Sequence, residues 1–161
     1  MFVLVLWCII DKREVGGMKI STKGRYALRT MIDLGQNSCG ELVALKDIAD
    51  RQQISQKYLE QIVTLLGKAG LVKGMRGSQG GYRLTRASSE YNVAEILEAV
   101  EGSLSPVSCL ASEENACDRC GCCSTLELWR GLHDVVMNYL TSITLQDMVE
   151  RAIVLEEETI G

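Results

Sequence analysis

Residues 46–82 read KDIADRQQISQKYLEQIVTLLGKAGLVKGMRGSQGGY, and this stretch decides the fold. The pattern predicts a short helix, a turn and a second, amphipathic helix, which Gly70 ends. A glycine-rich, basic hairpin follows, with strands predicted at 71–73 and 82–84. This order of elements is a winged helix-turn-helix, and we predict a mainly α-helical chain with a small β-hairpin wing.

The two helices of the motif follow from the spacing of their apolar residues. The first is predicted over Leu45–Gln52, where Leu45, Ile48 and Ala49 face inward. Ser55 is the predicted N-cap of the second helix. In that helix apolar residues recur at i, i+3, i+4 and i+7, which predicts one buried face formed by Leu59, Ile62, Val63 and Leu66.

The polar face of the second helix predicts contact with DNA, because in a helix-turn-helix this helix lies in the major groove. Arg76, at the hairpin tip, is predicted to contact a phosphate or to enter the minor groove. Glycines at such a tip allow positive φ and a close approach of the backbone to phosphate. Their spacing matches neither a dinucleotide fingerprint nor a P-loop, which excludes a nucleotide-binding loop. The side chains placed to meet base edges are Gln56, Lys57, Glu60 and Gln61.

The charge of the chain is divided between two halves. The formal net charge is −4, which by itself disfavours nucleic acid as a partner. Residues 18–86, however, carry 12 Lys/Arg against 5 Asp/Glu, a net charge of +7. Residues 87–161 carry 3 against 14, a net charge of −11. A basic half joined to an acidic half predicts a polyanion-binding face on the basic one.

Residues 2–10 are apolar throughout, but nine residues are too few to span a bilayer, which needs about 20. No basic residue precedes them and no small-residue cleavage site follows, which disfavours a secretory signal. A short membrane-facing anchor is the alternative. Arg13-Glu14-Val15 can be encoded by AGG-GAG-GTN, which resembles a ribosome-binding site ahead of Met18. We therefore expect residues 1–17 to be a non-native or disordered extension of a cytoplasmic protein without membrane association.

Helices are also predicted on both sides of the motif. One runs from residue 21 to about residue 37, with Ser21 or Thr22 as N-cap. Asn92 and Glu95 have the spacing of a capping box and predict the start of another. The inward-facing residues of the earlier helix are Ala27, Leu28, Met31, Ile32 and Leu34.

The C-terminal part predicts a long helix from Ser124 or Thr125 to about Leu140. A short last helix is predicted from Thr144 to about Leu155, followed by a frayed acidic tail. The long helix carries two apolar stripes, and one would suffice to attach it to the domain. The second stripe therefore predicts an antiparallel helix from another subunit. The first stripe contains Leu126, Trp129, Leu132, Val136 and Leu140, and the second contains Leu128, Val135 and Tyr139.

Seven cysteines are present, and five of them fall within the 15 residues from Cys109 to Cys123. We expect a reducing compartment, in which clustered thiols more often bind metal or respond to redox chemistry than form disulfides. Cys117-x-x-Cys120 has the spacing of a zinc site, which Cys109 and Cys123 would complete as a tetrahedral set. A thiol-based redox switch is a further alternative.

Four motifs of the chain are specific in combination. They are Met18-Lys-Ile-Ser-Thr-Lys-Gly-Arg-Tyr-Ala-Leu, Ile54-Ser-x-x-Tyr58-Leu-Glu-Gln, Ala69-Gly-Leu-Val72 and Arg76-Gly-x-x-Gly80-Gly-Tyr. From residue 18 to about residue 150 the chain resembles the IscR/CymR-type winged-helix regulators, the Rrf-two or BadM family. The resemblance implies a non-enzymatic, homodimeric transcription regulator, a repressor that binds a pseudo-palindromic operator in double-stranded DNA and dimerises through its long C-terminal helix.

The resemblance also implies a cofactor. IscR-like members hold an iron–sulfur cluster on three cysteines and a following histidine, just ahead of a Leu-Trp-Arg segment. The histidine position here is Leu126, which leaves the fourth ligand open between Cys120 and Cys122. Counted back from Leu128-Trp129-Arg130, the implied ligands of a 2Fe-2S cluster are Cys109, Cys117 and Cys123.

Two further expectations come from the same resemblance. Some members lack the cysteines and answer to a protein partner, so control by an enzyme of cysteine metabolism is the alternative to a metal. In cluster-binding relatives a glutamate excludes one operator class until the cluster is bound, which implies that Glu60 is such a gate.

The predicted domains are 18–103 for DNA binding, 104–123 as a cysteine-rich sensor loop, and 124–161 as dimerisation helix and acidic tail. The complete predicted DNA-contacting set is Lys23, Arg25, Gln56, Lys57, Tyr58, Glu60, Gln61, Arg76 and Ser78.

Overall fold

The computed structural model describes residues 19–38, 40–77, 79–112 and 117–160. Within them the chain forms α1 Thr22–Asn37, α2 Leu45–Gln52, α3 Gln56–Lys68, β1 Val72–Met75, β2 Gly81–Leu84, α4 Val93–Glu101, α5 Leu126–Ser142 and α6 Leu145–Ile160. The predicted fold class, a mainly α-helical winged helix-turn-helix, is confirmed. The expectations for residues 1–17 concern a part of the chain outside this description.

The helix α1 is central to the fold, since α2, α3, α4 and α6 all pack against it. It begins after Ser21, as predicted, and the Ser21 hydroxyl accepts a hydrogen bond from the Lys23 amide at 3.1 Å. Its inward face lies in the main hydrophobic core, where Ala27, Met31 and Leu34 have no exposed surface.

A carboxylate of α4 holds the N-terminus of α1. Glu101 Oε1 accepts hydrogen bonds from the Ser21 amide at 2.9 Å, the Ser21 hydroxyl at 2.7 Å and the Gly24 amide at 2.9 Å. A negative group is favoured there because the first N–H groups of a helix lack partners within it. A Cβ atom on Gly24 would lie 2.4 Å from Glu101 Oε1, so this contact requires glycine.

The helix-turn-helix is formed by α2 and α3. Gln53 closes α2 with left-handed backbone angles, φ 53° and ψ 44°, and Ile54 is buried behind the turn. Ser55 is the N-cap of α3 as predicted, and its side chain makes no capping hydrogen bond. The predicted buried face of α3 is confirmed, because Leu59, Ile62, Val63 and Leu66 are all buried.

The wing is the antiparallel pair of β1 and β2, with Val72 opposite Leu84 and Met75 opposite Gly81. The strands start and end within two residues of the prediction. A contact not predicted from the sequence joins the wing to the segment before α2. The Val43 amide donates to Tyr82 O at 2.9 Å, and the Tyr82 amide donates to Val43 O at 2.8 Å.

The C-terminal helices differ from their prediction in length. A capping box begins α6, since the Thr144 amide donates to Asp147 Oδ2 at 2.8 Å and the Asp147 amide donates to Thr144 Oγ1 at 3.1 Å. Buried Leu145 and Val149 then anchor α6 in the main core. The helix continues to Ile160, so the frayed tail expected after residue 155 is helical. None of the helices in the described residues is long and apolar enough to cross a membrane.

Candidate nucleic-acid interface and cysteine segment

The polar face of α3 carries four of the predicted base-reading residues, all exposed: Gln56, Lys57, Glu60 and Gln61. Gln56 Nε2 donates to Glu60 Oε1 at 3.4 Å, one helical turn apart. The Glu60 carboxylate therefore lies among amide and ammonium groups on this face. It is a hydrogen-bond acceptor on a surface whose other side chains can donate to DNA.

Tyr58 is placed differently from its four neighbours. It is half-buried, packs against the main core, and meets the Tyr26 ring edge-to-face with 5.8 Å between ring centroids. The Arg29 guanidinium lies 5.4 Å from the centroid of Tyr26, and its Nε donates to Gln52 Oε1 at 3.1 Å. Tyr58 thus joins the start of α3 to α1, and only the exposed part of its side chain is available to contact DNA.

An ion pair behind this surface fixes the angle between α1 and α2. Asp33 is 1% exposed, and its carboxylate accepts from Arg51 Nε at 2.9 Å, Arg51 Nη2 at 2.6 Å and Gln52 Nε2 at 3.1 Å. The bidentate geometry orients both side chains. Asp33 also raises the pKa of Arg51, mainly through the side-chain hydrogen bond. Sequence reasoning missed Asp33, the one carboxylate of α1, because the apolar spacing of a helix does not reveal that a charged residue turns inward.

The hairpin tip presents Arg76, which is exposed just after β1. Gly77 has φ +124°, and a Cβ atom on Gly80 would lie 2.4 Å from Met75 O and 2.9 Å from Gly77 O. The tip therefore needs these two glycines for its own backbone. Ser78, the other predicted wing contact, lies outside the described residues.

The remaining predicted contacts lie in the first turns of α1. Arg25 is exposed, and its Nη2 donates to Thr22 Oγ1 at 3.0 Å. Lys23 is half-buried. Tyr26 connects this end of α1 to α3, so both groups of predicted contacts belong to one packed unit.

The cysteine segment, residues 109–123, precedes α5. Cys109 lies in a 3-10 turn, Ser108–Leu110, which Ser105 Oγ holds by donating to Leu110 O at 2.6 Å. Cys120 and Cys122 belong to a second such turn and are exposed, whereas Cys117 and Cys123 are half-buried. All five thiols are outside disulfides.

Cys123 has the most distinctive environment of these thiols. Its Sγ lies 3.5 Å from Thr125 Oγ1. The Thr125 side-chain hydrogen bond, with a smaller contribution from the Thr125 amide, lowers the pKa of Cys123. A lowered pKa favours the thiolate, the form that binds metal. An open cavity of about 510 Å³ is lined by Cys120, Cys122 and Cys123, and also by Glu127 and Arg130 of α5.

The donor chemistry of this segment fits an iron–sulfur cluster, since such clusters are held mainly by cysteine thiolates. The donors are not assembled, because the His, Cys, Asp and Glu side chains of the described residues form no group of three able to hold a metal ion. Leu126, at the position of the family histidine, is 8% exposed and packs inward. His133 Nδ1 is buried and has no hydrogen-bond partner among the described atoms.

One face of α5 remains apolar and exposed. It comprises Leu128, Leu132, Val135 and Tyr139, with exposed fractions of 62, 42, 67 and 65%. Their spacing of four, three and four residues is that of a coiled-coil seam, because such positions lie within about 60° of one another on a helix. Leu132 was expected on the stripe that attaches α5 to the domain, and that assignment is wrong. Leu140 of that stripe does pack with α4, together with Met137, which belongs to neither predicted stripe.

The model of the Rrf2 family, described as an iron-dependent transcriptional regulator, matches residues 20–151. The chain belongs to the Rrf2 family. Proteins of this family are DNA-binding transcription regulators and not enzymes, which confirms the recognition and the non-enzymatic class predicted from the sequence.

Individual relatives support the same assignment. The chain is 41% identical to the HTH-type transcriptional regulator IscR of Photorhabdus laumondii over 139 residues, 86% of this chain and 84% of that protein. It is similar to the structure of CymR, the global cysteine regulator of B. subtilis, with 41% identity, a TM-score of 0.66, and coverage of 83% of this chain and 97% of that one. T. potens IscR gives 38% identity, a TM-score of 0.65, and coverage of 84% and 89%.

Proposed function

We propose that the protein is a homodimeric repressor that reads a pseudo-palindromic operator and whose operator affinity depends on an iron–sulfur cluster in the cysteine segment. The observation that carries this proposal is the juxtaposition along α5. The helix begins three residues after Cys123, presents an apolar seam to solvent, and packs by its other end on the α1–α4 unit. One helix thus joins a thiol-rich segment, a dimerisation face and the DNA-reading unit.

The DNA-reading step belongs to α3 and the wing. Lys57, Gln61 and Arg76 are exposed donors proposed to contact DNA, and two copies related by a two-fold axis would place them in half-sites about 34–36 Å apart. The net charge of +7 on residues 18–86 supplies the salt-dependent attraction to phosphate. Glu60 acts against this attraction, since a carboxylate can accept from cytosine N4 but repels phosphate and the acceptor groups of bases.

The dimerisation step belongs to the seam on α5. Exposed Leu, Val and Tyr side chains at heptad spacing leave a large apolar face in water in the single chain. An antiparallel copy of the same helix covers this face symmetrically, so that each contact of a residue i with a residue j of the partner is repeated by j with i.

The sensing step belongs to Cys109, Cys117 and Cys123, with Cys120 or Cys122 as fourth ligand. These thiolates would ligate the irons of a cluster, which when bound would tie the cysteine positions together. The chain's own contribution is Thr125, which favours the thiolate of Cys123, and Leu126, which anchors the first turn of α5 by its burial. Drawing these cysteines together would set the direction in which α5 leaves the segment. That direction would in turn set the separation of the two DNA-reading units in the dimer.

A second candidate is a regulator of the same DNA-binding type without a cluster, controlled by a structural zinc, a thiol switch or a protein partner. The His, Cys, Asp and Glu side chains of the described residues form no group of three able to hold a metal ion, which within this candidate favours the thiol switch or the protein partner over zinc.

The metal content of anaerobically purified protein separates these candidates. We expect a brown protein with iron and acid-labile sulfide in stoichiometric amounts, both lost in the triple variant Cys109→Ser/Cys117→Ser/Cys123→Ser. A colourless protein with one zinc per chain, or a metal-free protein that binds its operator with full affinity, would contradict cluster control. Val154→Ala, on the exposed side of α6, serves as a control that keeps all thiols.

A further inference from the structure

We propose that Tyr91 positions the wing and couples it to the turn between α5 and α6. The coupling to the turn rests on the proposed function, in which a cluster provides the signal. The positioning of the wing concerns DNA binding alone. Tyr91 lies between the wing and α4, and it is 1% exposed.

The hydroxyl of Tyr91 holds both strands of the wing at their base. It accepts hydrogen bonds from the Thr85 amide at 2.8 Å and the Arg86 amide at 3.0 Å, just after β2. It donates to Leu71 O at 2.9 Å, just before β1. Because a single buried oxygen contacts both ends of the hairpin, it sets the angle at which the wing leaves the helices.

The ring of Tyr91 is fixed in turn. The Arg86 guanidinium lies 4.2 Å from the ring centroid, and Arg86 also forms an ion pair with Glu95 of α4. A cation over a tyrosine face is attracted by the negative face of the ring. The ring therefore cannot turn away from the wing without breaking a second contact.

The backbone of Tyr91 joins the opposite side of the molecule. Its carbonyl accepts from the Leu145 amide at 3.0 Å, and the Val93 amide donates to Ile143 O at 3.0 Å. These bonds pair residues 91–93 with the turn between α5 and α6. A shift of that turn therefore moves Tyr91, and the hydroxyl passes the shift to Leu71, Thr85 and Arg86.

The variant Tyr91→Phe removes only the hydroxyl and keeps the ring, the Arg86 contact and the main-chain pairing. We expect faster hydrogen exchange at the Thr85 and Arg86 amides, by about tenfold or more, since both lose their buried acceptor. The matched control is Tyr82→Phe. It removes a hydroxyl of the same wing, one that forms no hydrogen bond with any described residue. It should leave those two exchange rates unchanged.

A double-mutant cycle tests whether Tyr91 acts through the wing. Arg76→Ala should weaken operator binding by about tenfold in the wild-type chain and by less than about threefold in Tyr91→Phe, because a displaced wing no longer delivers Arg76. Equal losses in both backgrounds, or unchanged exchange at Thr85 and Arg86, would overturn the positioning role. Exchange is measured on the folded protein. Thr85→Val provides a milder variant at the same site, since it removes the contacts of the Thr85 hydroxyl with Gly70 O, Leu71 O and the Tyr91 hydroxyl but keeps the Thr85 amide.

The coupling part uses cluster-loaded and cluster-free protein. We expect the ratio of their operator dissociation constants to fall toward one in Tyr91→Phe. If the wild-type ratio is already one, the proposed function fails while the double-mutant cycle still decides the role of Tyr91. A wild-type ratio that Tyr91→Phe leaves intact would overturn the coupling alone.

Discussion

The DNA-reading unit, formed by α1–α4 and the wing, and the cysteine segment are held in different ways. In the first, polar side chains join separate elements, as buried Asp33 joins α1 to α2 and half-buried Glu101 joins α4 to α1. At the cysteine segment, the Ser105–Leu110 hydrogen bond and the Cys123–Thr125 contact each join near neighbours in the chain, and the thiols are exposed or half-buried. A reading surface needs a fixed shape, whereas a sensor must change its shape when its ligand arrives. The following predictions test this contrast.

The largest effect is expected from Asp33→Ala. The variant leaves Arg51 without its buried partner, but the Arg51 side chain is 40% exposed and regains water. We therefore expect a loss of about 3 kcal/mol in the free energy of unfolding, and a Tm lower by about 6–12 °C in a calorimetric scan. Asp134→Ala, exposed on α5, should change Tm by less than about 2 °C. Similar losses in both variants would show that Asp33 does not fix the reading unit.

Val135→Lys should separate the two subunits without unfolding either. Val135 is 67% exposed in the single chain, so lysine costs little there but places a charge in the proposed seam. We expect the dimer dissociation constant to rise by about 100-fold in sedimentation equilibrium. Thr141→Lys adds the same charge on another face of α5 and should leave the dimer intact. A dimer that tolerates Val135→Lys would place the interface elsewhere.

Arg76→Ala should weaken operator binding by about tenfold and reduce the slope of log Kd against log salt by about one, because one cation leaves the phosphate surface. The measurement is a titration of labelled operator at several salt concentrations. Gln79→Ala, exposed at the same hairpin tip, keeps the charge and should keep the slope. An unchanged slope in Arg76→Ala would remove the wing from the interface.

The smallest effect is expected from Glu60→Ala, and it concerns the choice between operator classes more than the overall affinity for DNA. Without the carboxylate, cluster-free protein should bind an operator class that wild type excludes, with a gain of about 1 kcal/mol. Glu60→Gln removes the charge but keeps the shape of the side chain, and its amide can also pair with bases. If both variants keep the wild-type ratio between operator classes, Glu60 is not a gate.

The sequence predicted the reading unit because its signals are local. The apolar spacing of α3, the capping box of Asn92 and Glu95, and the glycines of the wing each determine nearby backbone. Glu101 and Tyr91 could not be found in this way, since their partners lie 80 and 20 residues away in the chain. The position of a long-range polar contact depends on packing that no short pattern encodes.

The C-terminal errors have the same origin. Leu132 was assigned to the attaching stripe because both stripes of α5 look alike in the sequence, and only the packing of Met137 and Leu140 against α4 separates them. The end of α6 was placed too early because its acidic residues disfavour burial. The structure keeps them exposed while Leu145 and Val149 anchor the helix.

The central claim, that the cysteine segment controls the DNA-reading unit, is tested most directly by one titration. Anaerobic protein is titrated against a family-type operator as purified, and again after iron has been removed by a chelator. We predict that the operator Kd changes by at least about tenfold between the two forms, and that Cys123→Ser shows only the second value. A single Kd for both forms of the wild-type protein, with stoichiometric iron in the first, would contradict the account.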